Sequence, residues 1–277
     1  MHIQSRLLLF SVLCAALASL TLYPGLSGGF IFDDRANIIE NGALHITRLD
    51  MQSLLQAAYS FQPGGGSRPL AMLSFAIDFW RGGPSPEGFK TTNLFIHGLT
   101  TIALVPFLHL LFSLAGWPCS RSTYAALAVS LMWAIHPLQV STVLYVVQRM
   151  QTLATLFLVL ALYAYLRARL AQIEGRSSRQ SWGLTALFWG LAFASKEDSA
   201  LLPAYTLALE LTVLGFRAAR PSTSRALRRT YFVLVLAGVI AYTMVVIPHF
   251  WHWDAYPNRD FSSYERLLTQ ARVLMMY

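Results

Sequence analysis

The chain has 277 residues, of which 55% are hydrophobic, 12% are charged and 13% are aromatic. Its mean hydropathy is +0.49, and this composition excludes an ordinary soluble domain, in which charged residues make up about a quarter of the chain. The net charge of +8 does not indicate nucleic-acid binding, because the basic residues lie in short loops between apolar runs. We therefore expect an integral, multi-pass membrane protein that contacts membrane lipid and no nucleic acid.

Apolar runs of nearly span length recur along the chain and predict an all-α, polytopic bundle, since a helix needs ~20 residues to cross a bilayer. Arg6 precedes the first run, which is typical of an uncleaved signal anchor. About seven spans are predicted, at residues 7–23, 90–115, 123–140, 142–166, 181–195, 199–216 and 230–248.

Arginines are concentrated on one side of this predicted topology. If the N-terminus is cytoplasmic, the inner segments carry eleven arginines and a single acid, Glu174, which is the positive-inside pattern. Nearly all other acids then fall on the outer side, where we expect the chemistry. No Asn-x-Ser/Thr sequon occurs, and this favours a bacterial inner membrane with a periplasmic active site.

The predicted outer segment from Tyr23 to Lys90 is too long for a plain connection, and loops of this size usually carry function. Residues 46–59 and 69–80 have helical spacing of apolar residues, so we expect two amphipathic helices in the membrane interface. The glycines at positions 64, 65 and 66 separate them. Arg68 follows this run and is expected to point back towards the site.

Asp33 and Asp34 follow the apolar stretch Phe30-Ile31-Phe32 at the outer end of the first span. Apolar surroundings raise the pKa of a carboxyl group, which suits a general base. We therefore predict that one of the two is catalytic. The alternative is a pair of merely solvated carboxylates, and the sequence does not choose between Asp33 and Asp34.

Cations from distant segments are predicted on the same side. Arg149 lies in the first turns of a span, where an unpaired cation is costly; we expect it to bind a phosphate or to pair with Asp33 or Asp34, with snorkelling to the headgroups as the alternative. Lys196 lies in a turn, where it either binds the same phosphate or pairs with Glu197 or Asp198.

Histidines and an asparagine near the predicted span ends complete the candidate set. His136 precedes Pro137 at a helix break, and Asn93 and His97 lie in the first turns of the second span. Hydrogen bonding at helix ends is the alternative role for both histidines. No His-Glu-x-x-His spacing occurs, so no metal is expected. Glu210, in mid-span, is either a proton-relay group or a buried neutral carboxyl.

Taken together, these motifs resemble the GT-C superfamily of glycosyltransferases, and more closely the transmembrane and TPR repeat-containing protein O-mannosyltransferases and their bacterial relatives. The resemblance covers residues 1–277 as one transmembrane domain, which we expect to be truncated before further spans and TPR repeats. It rests on Phe32-Asp33-Asp34 with Ile38 and Asn41, Arg68-Pro69, Asn93 with His97, His136-Pro137 with Gln148-Arg149, Ser195-Lys196-Glu197, and Arg259-Asp260-Phe261 with residues 265–272.

This resemblance implies an inverting glycosyltransferase that moves a sugar from a polyprenyl-phosphate donor to the hydroxyl of a protein or glycan acceptor. Asp33 or Asp34 would be the base, and no metal cofactor is implied. Arg149 and Lys196 would bind the donor phosphate with Arg68 and His136, supported by Asn93, His97 and Glu197. A lipid-linked glycan flippase and a surface-polysaccharide assembly protein remain alternatives; a flippase predicts polar residues near mid-membrane.

Overall fold

The computed structural model describes residues 2–61, 67–251 and 260–276. Within these ranges the chain forms helices and no strands, so the all-α prediction is confirmed. The predicted glycine run at residues 64–66 and Arg259 lie outside the described residues. The α-helices are α1 (His2–Leu22), α2 (Met51–Ala58), α3 (Pro69–Gly82), α4 (Pro86–Leu114), α5 (Cys119–Ala134), α6 (Gln139–Leu144), α7 (Arg149–Ile173), α8 (Arg179–Phe193), α9 (Leu202–Leu209), α10 (Pro221–Ala241), α11 (Ile247–Phe250) and α12 (Ser263–Leu274).

Four helical stretches of the described chain are long and apolar enough to cross a membrane: Leu7–Gly25, Pro86–Leu114, Val146–Ile173 and Pro221–His249. The other three predicted spans fall on shorter helices. For example, α5 has 16 residues and extends about 24 Å, less than the ~30 Å hydrocarbon core. A multi-span membrane protein is therefore confirmed, whereas the number seven stays a prediction.

Residues Met1–Arg220 form one compact unit, in which α4 and α7 are the central helices. α4 packs against α1, α5 and α7, and α7 also packs against α8. The buried residues of α4 recur at helical spacing on one face, as the apolar stripe of a packed helix requires. They include Phe89, Asn93, Ile96, His97 and Thr100.

Both helices predicted in the long outer segment are present, as α2 and α3. Asp50 caps α2 by accepting hydrogen bonds from Ser53 N at 2.9 Å and from Ser53 Oγ at 3.1 Å, which satisfies an otherwise unpaired N-terminal donor. α3 buries Met72 and Phe75 in the main hydrophobic core beside Phe89. One face of α3 therefore packs on protein, and its placement in the membrane interface stays a prediction.

Glu210 lies at the opposite end of α7 from the outer loop and is fully buried. Its carboxylate accepts hydrogen bonds from Arg169 Nε at 2.5 Å, from Tyr165 Oη at 2.6 Å and from Phe216 N at 2.9 Å. A closed ion pair of this kind joins α7 to the helical turn Glu210–Leu214. The two roles predicted for Glu210, the proton relay and the neutral carboxyl, stay predictions.

Residues Pro221–Tyr277 form a second unit, which contains α10, α11 and α12. α10 begins at Pro221, at a position where the missing N–H of proline costs nothing. Ser262 and Glu265 form a capping box at the start of α12, so this segment carries its own N-terminal signal.

Candidate active site

The chain leaves α1 through a turn and reaches Asp33 and Asp34 in the first described loop. Asp34 is fully buried, and its two oxygens accept hydrogen bonds from Val147 N at 2.7 Å and from Ile31 N at 3.1 Å. Burial raises the pKa of Asp34, although these hydrogen bonds and the charge of Lys90 act in the opposite direction. Asp34 therefore fixes the loop to the start of α7.

Asp33 differs from its neighbour because its side chain is exposed. Its backbone N–H donates to Tyr145 Oη at 2.9 Å, and its carbonyl accepts from Asn37 Nδ2 at 2.9 Å. The preceding residue, Phe32, has a φ of +41°, which is uncommon for a bulky side chain and stores strain. The backbone on both sides of Asp33 is thus held, while its carboxylate faces solvent.

A break between α6 and α7 lies at the centre of the candidate site, and we call residues 145–151 the connector. The sequence predicts one continuous helix over 142–166, but Tyr145 is extended, with ψ of 113°. Asn93 explains the break, because its Nδ2 donates to the carbonyls of Val143 at 3.0 Å and Val146 at 3.3 Å. The asparagine amide thus donates to one carbonyl on each side of Tyr145 and holds the chain in this extended turn.

Arg149 occupies the connector and is completely buried. Its guanidinium donates to Asn93 Oδ1 at 2.7 Å, Phe89 O at 2.7 Å and Ser74 O at 3.0 Å, and Nη2 lies 2.6 Å from Asp78 Oδ2. The predicted pairing with Asp33 or Asp34 is therefore wrong, since the partner is Asp78. Every edge of the guanidinium is occupied, and the snorkelling alternative is also excluded by burial.

Arg68 and Lys196 reach the same connector from two other segments. Arg68 forms a bidentate pair with Glu197, at 2.9 Å and 2.5 Å, and donates to Met150 Sδ at 2.9 Å. Hydrogen bonding to Arg68 lowers the pKa of Glu197. Lys196 Nζ donates to Gln151 Oε1 at 2.7 Å and lies 3.8 Å from Asp198 Oδ2.

The two predicted histidines have different surroundings. His97 is buried, with Nε2 2.9 Å from Ala134 O and its ring stacked on Trp133, so it joins α4 to the end of α5. His136 is exposed, and its Nδ1 accepts from Leu138 N at 3.3 Å. In the described residues no group of three or more His, Cys, Asp or Glu side chains has a metal-binding arrangement.

Three residues contribute to the site without having been assigned a role in it from the sequence. Lys90 is buried, and its Nζ donates to Gly28 O at 2.6 Å and Gly25 O at 3.3 Å, which holds the exit of α1 against α4. Asp78 pairs with Arg149, and Tyr145 orients Asp33. Asp78 had a detectable signal, because it is the only acid within the apolar helix predicted at residues 69–80.

Comparison with known proteins gives related sequences but no related structure. The protein O-mannosyl-transferase TMTC4 of Homo sapiens is 28% identical over 201 residues, which cover 68% of this chain and 27% of that protein. Tmtc1 of Drosophila melanogaster is 29% identical over 188 residues, covering 66% and 20%. TMTC3 of Homo sapiens is 24% identical over 241 residues, covering 79% and 25%.

The chain is a sequence relative of the TMTC protein O-mannosyl-transferases. The resemblance inferred from its motifs is thereby confirmed. The chain spans about a quarter of the length of TMTC4. No family model matches it, and no solved structure matches it.

Proposed function

We propose that the chain is the catalytic membrane part of a glycosyltransferase that moves a sugar from a polyprenyl-phosphate donor to a protein hydroxyl on the outer face of the membrane. The names of its TMTC relatives favour mannose and a protein acceptor. The main structural support is the connector: within seven residues it contacts the Asp33 and Asp34 loop, Arg68 and Lys196.

Asp33 is the better base of the two aspartates. An acceptor hydroxyl must come within hydrogen-bond reach of the group that takes its proton, and Asp34 is buried with both oxygens bonded to backbone N–H groups. Asp33 is exposed one residue earlier. We therefore assign Asp33 as the general base and Asp34 as the residue that positions it.

Lys196 and Arg68 are the cations that we assign to the donor phosphate. The side chain of Lys196 is 26% exposed and that of Arg68 is 17% exposed, so a ligand can reach both, Arg68 by sharing donors that now contact Glu197 and Met150. Arg149, in contrast, is completely buried. His136, which is exposed, is a further candidate contact. Fixed positive charge at this place stabilises the negative charge that develops on the leaving phosphate.

The reaction then follows from these positions. The acceptor oxygen attacks the anomeric carbon, its proton passes to Asp33, and the bond from that carbon to the phosphate oxygen breaks with its electron pair on the phosphate. Attack opposite the leaving group inverts the anomeric configuration. In this proposal the seven spans, the cytoplasmic N-terminus and the bacterial inner membrane place the connector on the periplasmic side.

A flippase is less well supported by the described charges. Glu210, the acid that the sequence predicts in mid-span, lies at the inner end of α7, where it is closed in a pair with Arg169 and offers no free charge for a polar path. The candidate site residues instead meet at one connector.

The test compares Asp33→Asn with Asp34→Asn, each purified in lipid nanodiscs and assayed for sugar transfer from polyprenyl-phosphate mannose to a serine- or threonine-containing peptide. Asp33→Asn should lower transfer by ~10²–10⁴-fold, the usual contribution of a general base, and leave thermal stability unchanged. Asp34→Asn should lower both sugar transfer and thermal stability, because the amide N–H₂ of the new side chain would face a backbone N–H. Glu40→Gln, an exposed carboxylate in the same loop, is the matched control.

Normal transfer by Asp33→Asn would remove the assigned base. If the unmodified protein transfers no sugar but moves the donor between the leaflets of a vesicle, the flippase alternative replaces the proposal.

A further inference from the structure

A small polar pocket lies among α4, the end of α5, α6 and the first turns of α7. Its volume is about 180 Å³. Six of its eight lining residues carry a hydroxyl or amide side chain: Thr100, Gln139, Thr142, Gln151, Thr152 and Thr155. Polar groups at membrane depth are costly and usually functional, so this concentration needs an explanation.

The hydrogen bonds already made in the pocket indicate what it still accepts. Thr100 Oγ1 donates to Ile96 O at 2.9 Å and Thr155 Oγ1 donates to Gln151 O at 2.8 Å. Each hydroxyl hydrogen is used within its own helix. The Thr155 oxygen also accepts from Gln151 Nε2 at 3.4 Å, and because a hydroxyl oxygen has two lone pairs, both oxygens keep acceptor capacity. The Gln139 side chain has no hydrogen-bond partner among the residues that the structure describes. The pocket thus offers several acceptors together with an unused amide.

The remaining two lining residues are aromatic. His97 and Trp133 are stacked with their ring centroids 5.0 Å apart, and they give the pocket a flat wall beside its polar ones. No carboxylate, lysine or arginine lines it. A ligand that suits these walls is uncharged, has hydroxyl groups around its edge and presents an apolar face to an aromatic ring, and a pyranose combines these properties.

Size limits the ligand further. The volume equals about six waters at ~30 Å³ each and is smaller than the ~300–1,000 Å³ of pockets for drug-sized ligands. It therefore suits one sugar ring and not an oligosaccharide.

The pocket is connected to both assigned reaction groups, directly to Lys196 and through α6 and Tyr145 to Asp33. Gln151, which lines it, accepts from Lys196 Nζ at 2.7 Å. Thr142 lies on α6, which ends at Leu144 next to Tyr145, and the Tyr145 hydroxyl accepts the N–H of Asp33. We propose that this pocket is the subsite for the monosaccharide of the lipid-linked donor, with Gln139 and the threonine oxygens bonded to the sugar hydroxyls. This inference rests on the proposed function.

The experiment measures the affinity of the full-length protein, in nanodiscs, for two probes of equal chain length: polyprenyl-phosphate mannose and polyprenyl phosphate without a sugar. Thr155→Val and Gln139→Leu should each weaken binding of the mannosyl lipid by about threefold to tenfold, the loss expected for one hydrogen bond. Neither should change the affinity for bare polyprenyl phosphate.

Thr212→Val is the matched control. Thr212 is exposed and makes the same kind of hydrogen bond within its own helix, to Ala208 O at 2.7 Å. Lys196→Ala should weaken binding of both lipids, because it acts on the phosphate that they share.

Two results would overturn the pocket assignment and leave the proposed function intact. In the first, the pocket variants weaken binding of the mannosyl lipid and of bare polyprenyl phosphate equally. In the second, the pocket variants change the affinity for neither lipid, while Lys196→Ala weakens binding of both. If the unmodified protein binds neither lipid, the proposed function fails and the pocket assignment fails with it.

Discussion

Arg149 contacts two other helices with one guanidinium, and this explains why a single residue can fix the outer end of the bundle. It joins α7 to Asn93 and Phe89 of α4 and to Ser74 and Asp78 of α3. Its planar, forked donors suit such divergent acceptors, whereas a lysine ammonium is a compact point charge. Arg149 is therefore a positioning residue in our assignment.

Arg149→Lys should lower the thermal stability of the protein, since breaking a buried ion pair costs about 3–5 kcal/mol. The KM for the polyprenyl-phosphate donor should stay the same in the fraction that remains folded. Thermal unfolding in nanodiscs and donor-dependent transfer rates measure the two effects. Arg167→Lys, an exposed arginine on the same helix, is the control. Unchanged stability with a raised KM would instead return Arg149 to the donor phosphate.

At the scale of elements, the exit of α1 is held against α4 and α6 by close backbone contacts. A Cβ added to Gly28 would lie 2.7 Å from Lys90 Nζ, and one added to Gly25 would lie 2.1 Å from Leu144 Cδ1. Neither glycine has a positive φ, so the reason for glycine is space. This contact keeps the Asp33 and Asp34 loop beside the connector.

Gly28→Ala should destabilise the protein by about 1–3 kcal/mol, the usual cost of overpacking, and should lower sugar transfer because the Asp33 loop shifts. The adjacent variant Gly29→Ala should change stability by no more than about 0.5 kcal/mol, because nothing lies within 4 Å of its added Cβ. Both substitutions change the unfolded chain in the same way, so their difference reports the contact with Lys90. Equal effects in thermal unfolding would show that this contact is unimportant.

For the whole molecule, the open question of topology is the number of spans. The four long helices alone would place the segment after α7 on the outer side, with Arg167, Arg169, Arg176 and Arg179 near it. Seven spans place these arginines inside, as the positive-inside rule requires. Charge thus favours seven spans although α5 and α8 are short, and tightly packed helices with locally thinned lipid accommodate such lengths.

Labelling with a membrane-impermeant maleimide in intact spheroplasts tests this topology. In a Cys14→Ser, Cys119→Ser background, Gln52→Cys should be labelled and Ser177→Cys should be protected, since seven spans place residue 177 inside. Both positions are exposed on the protein surface, and labelling after lysis is the control for reactivity. Labelling of Ser177→Cys in intact spheroplasts would indicate that α5 does not complete the crossing assigned to it.

The sequence by itself determined the membrane class, the helical content and the order of motifs, because each depends on local composition. Runs of apolar residues require burial in lipid or protein, and Asp33-Asp34, Arg68, Lys196 and Glu197 are visible as polar groups at the ends of such runs. The resemblance to protein O-mannosyltransferases, which the TMTC relatives confirm, also needed only these residues in order.

Only the tertiary structure decided which charges are paired. The sequence indicated that Arg149 needs an anion, but it did not single out Asp78, which is 71 positions away and belongs to a different helix. The sequence also did not distinguish the roles of Asp33 and Asp34, because they differ in a hydrogen bond that Val147 N donates to Asp34 and not to Asp33. Pairing of distant residues depends on how helices pack, and the break that creates the connector depends on Asn93, which lies 50 residues earlier in the chain.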